Sequence, residues 1–195
     1  FNGGHQVIEP GFHPDVVFEA LQRYTRVTFF AAPTMLTRML RASHGLTDPA
    51  RHLQTITYGG GPMYVSDLLQ CLSLFGPRMV QIYGQGESPM TITSLSQQDH
   101  EGAQDAAHLA RLASCGTART GVQEPGEVVT RSDTRMLGYW NNPQATASAI
   151  RDGWLWTGDI GSLDEQGYLT LRDRSKDLII RGGSNIYPRE IEEVL

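Results

Sequence analysis

The first part of the chain alternates between two kinds of apolar pattern. Short runs of β-branched and aromatic residues are typical of buried strands, and apolar residues that recur every three or four positions are typical of helices with one buried face. Strands are predicted at residues 6–9, 27–32, 53–58 and 79–83, and helices at residues 14–24, from Pro33, and at residues 65–75. Strands that alternate with helices favour a parallel sheet with right-handed crossovers.

The pattern changes from residue 97 onward. Residues 97–113 are polar and alanine-rich, which predicts a loop followed by one helix. After Gly116 short β runs dominate, which indicates a small antiparallel unit with a helix at residues 143–150. The β runs occupy residues 126–131, 135–139, 154–156 and 168–171, and a last strand at 178–181 precedes an amphipathic helix at 188–195.

The composition excludes several classes of protein. A net charge of −5 over 195 residues provides no basic surface for nucleic acid. No apolar run is long enough to span a membrane. Cys71 and Cys115 are too few for a disulfide framework, and no cysteine or histidine cluster has zinc-binding spacing. We therefore expect a cytoplasmic protein.

A first candidate for chemistry follows the strand predicted at residues 79–83. Gly84 and Gly86 can take positive φ and let backbone N–H groups approach a ligand closely. Tyr83 offers a flat face for a base, and Glu87 offers hard oxygens for Mg²⁺. Open α/β sheets bind ligands at the carboxyl ends of their strands. A simple turn beside a core tyrosine and a surface carboxylate explains the same residues equally well.

Three further segments are each open to two interpretations. The run Gly-Gly-Gly-Pro at residues 59–62 is either a strand-to-helix turn or a backbone shelf for a flat purine. Asp159, which follows Trp154-Leu-Trp-Thr-Gly158, either accepts hydrogen bonds from a ribose diol or forms an Asx-turn. The charge run at residues 172–177 is either a solvated loop or an interdomain hinge.

Together these segments resemble one family, the AMP-forming adenylating enzymes, which include acyl-CoA synthetases, luciferases and peptide-synthetase adenylation domains. The resemblance covers nearly the whole chain, and the last two of its motifs are long and specific. The motifs are Tyr58-Gly-Gly-Gly-Pro62, Tyr83-Gly-Gln-Gly-Glu87, Met136-Leu-Gly-Tyr-Trp-Asn-Asn-Pro143, Asp152-Gly-Trp-Leu-Trp-Thr-Gly-Asp159 and Asp173-Arg-Ser-Lys-Asp-Leu-Ile-Ile-Arg-Gly-Gly-Ser-Asn-Ile-Tyr-Pro-Arg-Glu-Ile-Glu192.

The resemblance implies an α/β fold in three units. Residues 1–115 would form the α/β, parallel-sheet part of a large N-terminal domain, and residues 116–172 a small β-barrel-like, antiparallel subdomain. Residues 173–195 would form a hinge and the first elements of a mobile C-terminal α+β domain. In this family ATP and a carboxylic acid give an acyl adenylate and pyrophosphate, and a thiol, commonly that of coenzyme A, then displaces AMP.

The resemblance also assigns roles to individual residues. Glu87 matches the Mg²⁺ ligand, Lys176 matches the hinge about which the C-terminal domain rotates, and Gly182 and Gly183 match the stretch that borders pantetheine. The residues implied to bind the nucleotide are Gly60, Gly61 and Tyr83 for adenine, Asp159 for the ribose hydroxyls, Arg174 for the ribose–phosphate side, and Gly84, Gln85 and Gly86 in the segment after Tyr83.

The chain departs from the family pattern at several points. The phosphate loop with its lysine and the C-terminal catalytic lysine lie outside it, and Gly86 stands where the family usually has threonine. Residues 116–126 are short where relatives carry a strand pair. Either this is a true deletion or a loop was left out of the numbering, which we favour because a barrel without two strands would expose edges. The first residue, Phe1, and the last, Leu195, suggest a piece of a longer protein that is inactive alone.

We predict that the parent protein is an acyl-CoA synthetase of fatty acid metabolism that ligates a fatty or aryl acid. Its cofactors would be ATP, which is converted to AMP, together with Mg²⁺ and coenzyme A. Its partners would be these small molecules, with a homodimer also allowed. The double glycine before residues 184–188 favours this over a peptide-synthetase domain. The alternatives are an adenylation domain that loads a carrier protein and an inactive nucleotide-binding fragment.

Overall fold

The computed structural model describes residues 3–119, 121–123, 126–174, 179–181 and 184–186. A five-stranded sheet is formed by β1 (Val27–Ala31), β2 (Leu53–Gly59), β3 (Met79–Gln85), β4 (Ser88–Leu95) and β5 (Thr117–Ala118), in that order. The first three strands are parallel, as predicted, whereas β4 and β5 run antiparallel. The sheet is mixed because β3 and β4 are joined by only two residues, which permit a hairpin but no crossover.

Helices cover one face of this first sheet. They are α1 (Pro14–Arg23), α2 (Pro33–Ala42), α3 (Val65–Phe75) and α4 (Ala106–Ala113), with a 3-10 turn at Gln98–His100. Each helix contacts the next along the chain, and their apolar side chains share one core with the strands. Leu36, Ile56 and Leu68 are fully buried in this core. Burying each such side chain stabilises the fold by about 1.5–3 kcal/mol.

The second sheet is antiparallel throughout. Its strands are β6 (Gly121–Gln123), β7 (Glu127–Arg131), β9 (Trp154–Leu163) and β10 (Leu169–Arg174) in the spatial order β10-β9-β7-β6, with β8 (Ile150–Arg151) also paired to β9. Helix α5 (Pro143–Ala149) precedes β8, and β11 (Ile179–Arg181) pairs with β12 (Ser184–Ile186). The predicted α/β fold with a small antiparallel sheet is confirmed.

The two sheets share a second core. Tyr83 and Ile92 of the first sheet pack in one cluster with Val128 and Leu169 of the second. The stretch over residues 116–126 joins the sheets, because β5 pairs with the first and β6 with the second. This stretch, which is short in the sequence, thus contributes β5 to the first sheet and β6 to the second.

Two of the predicted strands are wrong. Residues 6–9 are irregular, and Ile8 is 87% exposed, because no strand among the described residues pairs with this segment. Residues 135–139 form a loop rather than a strand, since Met136 donates its N–H to the backbone of Glu87. Strand β4 was not predicted. The predicted turn at residues 182–183 and helix at residues 188–195 lie outside the described residues.

No helix in the described part of the chain combines the length and the apolar character that a membrane span requires.

Candidate active site

The glycine run after β2 lies at the same edge of the sheet as the end of β3. The two strands are parallel neighbours, with Gly59 opposite Ile82. Gly60 has a φ of +79°, so the chain turns there in a conformation that favours glycine. A Cβ added to Gly61 would lie 3.8 Å from Cδ of Pro33, the first residue of α2. The glycine run predicted to hold a purine and the start of α2 therefore lie at the same edge of the first sheet, where β2 and β3 end.

Tyr83, Gln85 and Asp159 meet where the two sheets touch. The Tyr83 hydroxyl donates to Oδ2 of Asp159 at 2.6 Å, and Nε2 of Gln85 donates to the same oxygen at 2.8 Å. Nε2 of Gln85 also donates to the carbonyl of Thr157 at 2.7 Å. Tyr83 and Asp159 are buried, with 8% and 6% of their surfaces exposed. Burial, reinforced by the Asp159 carboxylate, raises the pKa of Tyr83, so its hydroxyl remains a donor at neutral pH.

The backbone around Asp159 is held by its neighbours in the second sheet. Gly158 has a φ of +77°, and its N–H donates to Oε1 of Glu127 at 2.7 Å. The Thr157 hydroxyl donates to the carbonyl of Val128 at 2.7 Å and accepts from the Asp159 N–H at 3.1 Å. The register of β7 against β9 shifts here, between Glu127 and Val129. Beside this irregularity the Asp159 carboxylate contacts Tyr83 and Gln85 of β3.

The backbone of Arg174 lies next to that of Asp159. In the ladder between β9 and β10 it lies directly opposite Asp159. A register shift between Leu171 and Asp173 precedes this pair. Lys176, Gly182 and Gly183 lie outside the described residues.

Glu87 occupies the two-residue turn between β3 and β4, where Gln85 pairs with Ser88. Its Oε1 accepts a hydrogen bond from the Tyr139 hydroxyl at 2.6 Å, and its carbonyl accepts from the Met136 N–H at 2.7 Å. The hydrogen bond to Glu87 raises the pKa of Tyr139. Tyr139 was not predicted as a site residue from the sequence, because its partner is 52 positions away and no local pattern links the two.

The two glycines of this segment differ in their surroundings. A Cβ on Gly84 would lie 2.2 Å from the backbone nitrogen of Met90, because β4 bulges toward it and Met90 has a φ of +52°. A Cβ on Gly86 would meet no described atom within 4 Å apart from those of its two chain neighbours. Neither glycine has a positive φ, so that expectation is wrong. Gly84 is required for close approach of two strands, whereas Gly86 is open.

The donor set is suitable for a magnesium ion that is held mainly by a nucleotide. Within the described residues, no group of three or more His, Cys, Asp or Glu side chains is placed to hold a metal ion. Mg²⁺ is often bound by one or two carboxylates together with waters and substrate phosphates. A single half-buried carboxylate such as that of Glu87 fits this mode.

Comparison with known proteins identifies the family. Residues 1–140 match the family model described as AMP-binding enzyme. A medium/long-chain fatty acid–CoA ligase of Mycobacterium tuberculosis is 33% identical over 207 aligned positions, which cover 99% of this chain and 35% of that protein.

Solved structures agree with this match. The amide bond synthetase McbA of Marinactinospora thermotolerans is 33% identical with a TM-score of 0.81, covering 94% of this chain and 38% of its own. The O-succinylbenzoate–CoA synthetase of Bacillus subtilis, solved with AMP, is 30% identical with a TM-score of 0.78 and the same coverage of both chains.

The chain therefore spans 35–38% of the length of these three proteins. The resemblance inferred from its motifs is confirmed by the matching family model and by relatives that align with almost all of it. The chain belongs to the family of AMP-binding enzymes.

Proposed function

We propose that the protein to which this chain belongs ligates a carboxylic acid to coenzyme A through an acyl adenylate, with ATP cleaved to AMP. The observation that carries this proposal is the hydrogen-bonded Tyr83–Gln85–Asp159 arrangement at the end of β3, the parallel neighbour of the strand that leads into the Gly60–Gly61 turn. It places a carboxylate, fixed by two donors, at the carboxyl edge of a sheet, where α/β folds bind nucleotides. The names of the relatives, a fatty acid–CoA ligase and an O-succinylbenzoate–CoA synthetase, support a fatty or aryl acid.

In this proposal the site residues bind and orient the nucleotide. Gly60 and Gly61 leave room for adenine, with the Tyr83 ring beside it. Asp159 accepts hydrogen bonds from the ribose hydroxyls, and Arg174, whose backbone lies opposite Asp159 in the ladder, is the proposed residue for the ribose–phosphate side. Gln85 keeps the Asp159 carboxylate in one orientation through its 2.8 Å hydrogen bond. Holding the reactants in one geometry supplies much of the rate of an in-line displacement.

Glu87 is the proposed ligand of Mg²⁺. A bound Mg²⁺ would neutralise charge on the phosphates as pyrophosphate leaves. Gly84 allows β3 and β4 to approach closely, so the turn that carries Glu87 has a defined position. Gly86 leaves space next to the turn, since no described atom other than those of its two chain neighbours lies within 4 Å of its Cβ position.

The three predicted units are also part of the proposal. Residues 1–115 and 116–172 would form the nucleotide site, and residues 173–195 would begin a domain that moves between the two half-reactions. Lys176 is the proposed hinge residue, and Gly182–Gly183 the stretch beside pantetheine. Conformational steps of this kind set the rate of many enzymes.

The experiment is to assay the full-length protein over a panel of acids. We expect acid-dependent exchange of pyrophosphate with ATP, followed by thioester and AMP when coenzyme A is added. ATP cleavage to ADP, or no exchange with any fatty or aryl acid, would contradict the proposal. An amine acceptor belongs in the same panel, because one similar structure is an amide bond synthetase. Amide formation in place of thioester would change the proposed acceptor and leave the adenylation step intact.

A further inference from the structure

The loop over residues 135–142 is held by polar contacts rather than by apolar packing. Leu137 and Trp140 are 99% and 92% exposed, so neither anchors the loop in the core. The N–H of Tyr139 instead donates to the Thr146 hydroxyl on α5 at 2.9 Å. Asn142 caps the same helix, its Oδ1 accepting from the Ala145 N–H at 3.0 Å. Tyr139 is thus fixed to the start of a helix.

From this position Tyr139 reaches the turn between β3 and β4. Its hydroxyl donates to Oε1 of Glu87 at 2.6 Å, and the N–H of Met136 donates to the Glu87 carbonyl at 2.7 Å. The loop therefore holds Glu87 at both its backbone and its side chain. A carboxylate has two oxygens, and a hydrogen bond to one of them fixes the direction in which the other points.

We propose that Tyr139 is a positioning residue for the Glu87 carboxylate, holding Oε1 so that Oε2 is presented to the Mg²⁺ of a bound nucleotide. The inference rests on the proposed function, in which Glu87 is the metal ligand. Hydrogen-bond partners that orient metal-ligating side chains commonly change metal affinity by 10–100-fold when they are removed. Without the tyrosine hydroxyl, the half-buried Glu87 side chain would lose rotamer freedom when the metal binds.

The experiment measures binding rather than turnover. In the full-length protein, ATP binding is followed by calorimetry while Mg²⁺ is titrated, and AMP binding is measured without metal. For Tyr139→Phe we expect the Mg²⁺ concentration that gives half-maximal ATP binding to rise about 10-fold, with AMP affinity unchanged. Glu87→Gln should raise it at least as much, and the double variant should be no worse than Glu87→Gln.

The chain contains a matched control for the lost hydroxyl. Tyr168 donates to Oδ1 of Asp99 at 2.8 Å, a second tyrosine–carboxylate pair away from Glu87. Tyr168→Phe should leave the Mg²⁺ dependence unchanged. A shift in Glu87→Gln with none in Tyr139→Phe would overturn the positioning role while the metal role stands. No shift in either variant would overturn both.

Discussion

The hydroxyl of Tyr83 donates a 2.6 Å hydrogen bond to Oδ2 of Asp159. The bond joins the two sheets through residues that lie 76 positions apart in the sequence. Both side chains are buried, and Asp159 accepts a second hydrogen bond from Gln85. Hydrogen bonds to a buried charge are stronger than neutral ones and costly to break on one side only. The pair therefore couples the integrity of the fold to the geometry of the candidate site.

Replacing Tyr83 by phenylalanine should destabilise the protein. The change removes one donor from the buried Asp159 carboxylate, so we expect the free energy of unfolding to fall by about 1.5–3 kcal/mol. Urea unfolding of the variant and the wild type measures it. Tyr64→Phe is the control, since this half-buried tyrosine lies outside the Tyr83–Asp159 contact. An equal loss in both variants would remove any special role for the Tyr83–Asp159 bond.

Replacing Asp159 by asparagine should weaken nucleotide binding. The amide keeps the shape of the side chain and removes the charge that accepts hydrogen bonds from a ribose diol. We expect ATP binding by the full-length protein to weaken by roughly 1.5–3 kcal/mol, the range for hydrogen bonds to charged groups. Calorimetry gives the affinity, with exposed Asp133→Asn as the control. Unchanged affinity in a folded Asp159→Asn protein would remove the ribose assignment.

The two glycines after Tyr83 should respond differently to alanine. Gly84→Ala places a methyl group 2.2 Å from the Met90 nitrogen, a backbone atom that cannot rotate away. We expect a loss of at least about 1–3 kcal/mol, the usual cost of overpacking. Gly86→Ala enters open space and should unfold with nearly the wild-type midpoint. Thermal unfolding compares the pair, and similar midpoints would show that β4 moves away easily.

Replacing Glu87 by glutamine should affect the two half-reactions unequally. If Glu87 binds Mg²⁺, its charge matters while the triphosphate is present and much less after pyrophosphate has left. In the full-length protein we expect adenylation to slow on the order of 10²-fold or more. Thioester formation from supplied acyl adenylate should fall much less. An adenylation rate within a few-fold of wild type would exclude Glu87 from the site.

The buried histidine His100 should make stability depend on pH. Its Nδ1 lies 2.7 Å from the Ser96 carbonyl, which can only accept, so Nδ1 carries the proton and Nε2 accepts from the Tyr58 hydroxyl at 3.0 Å. Burial lowers the pKa of His100, despite the hydrogen bond to Ser96 and the nearby Asp99 charge. The unfolded chain therefore binds a proton at a higher pH than the folded one, and this contribution to stability is lost as the pH falls below about 6.5.

The comparison with His100→Gln isolates this effect, because the carboxylates titrate in both proteins. Between pH 7 and pH 5 the free energy of unfolding of the wild type should fall more steeply, by up to about 1.4 kcal/mol per pH unit. Urea titrations at several pH values provide the two slopes. Parallel slopes would mean that His100 titrates alike in the folded and unfolded chain.

Local sequence patterns were sufficient to predict most helices and strands of the first sheet and its helical layer. The predicted helices and strands between residues 14 and 83 begin and end within one or two residues of α1, α3 and β1 to β3. Helical and strand periodicity are properties of neighbouring residues, so they are readable without the fold. Prolines at the first turns of α1 and α2 marked their starts for the same reason. The family was also recognisable, because its motifs are contiguous.

Some strands were predicted wrongly because strand formation depends on pairing with another strand. Residues 135–139 have the apolar content of a strand, yet their backbone bonds to the Glu87 turn and forms a loop. Residues 6–9 likewise have strand-like residues, and no strand in the part of the chain that the structure describes pairs with them. Strand propensity largely reflects packing against residues of adjacent strands. The local sequence does not show which residues those are.

The sequence by itself determined the α/β layout, the family and the residue types available for nucleotide binding. Only the tertiary structure decided which of them touch: Tyr83 and Gln85 bond to Asp159, and Tyr139 bonds to Glu87. It also decided that Gly84 is needed because Met90 lies against it, and not because of its φ. Hydrogen bonds and close contacts act over a few ångströms in space, so residues far apart along the chain become partners only when the two sheets pack together.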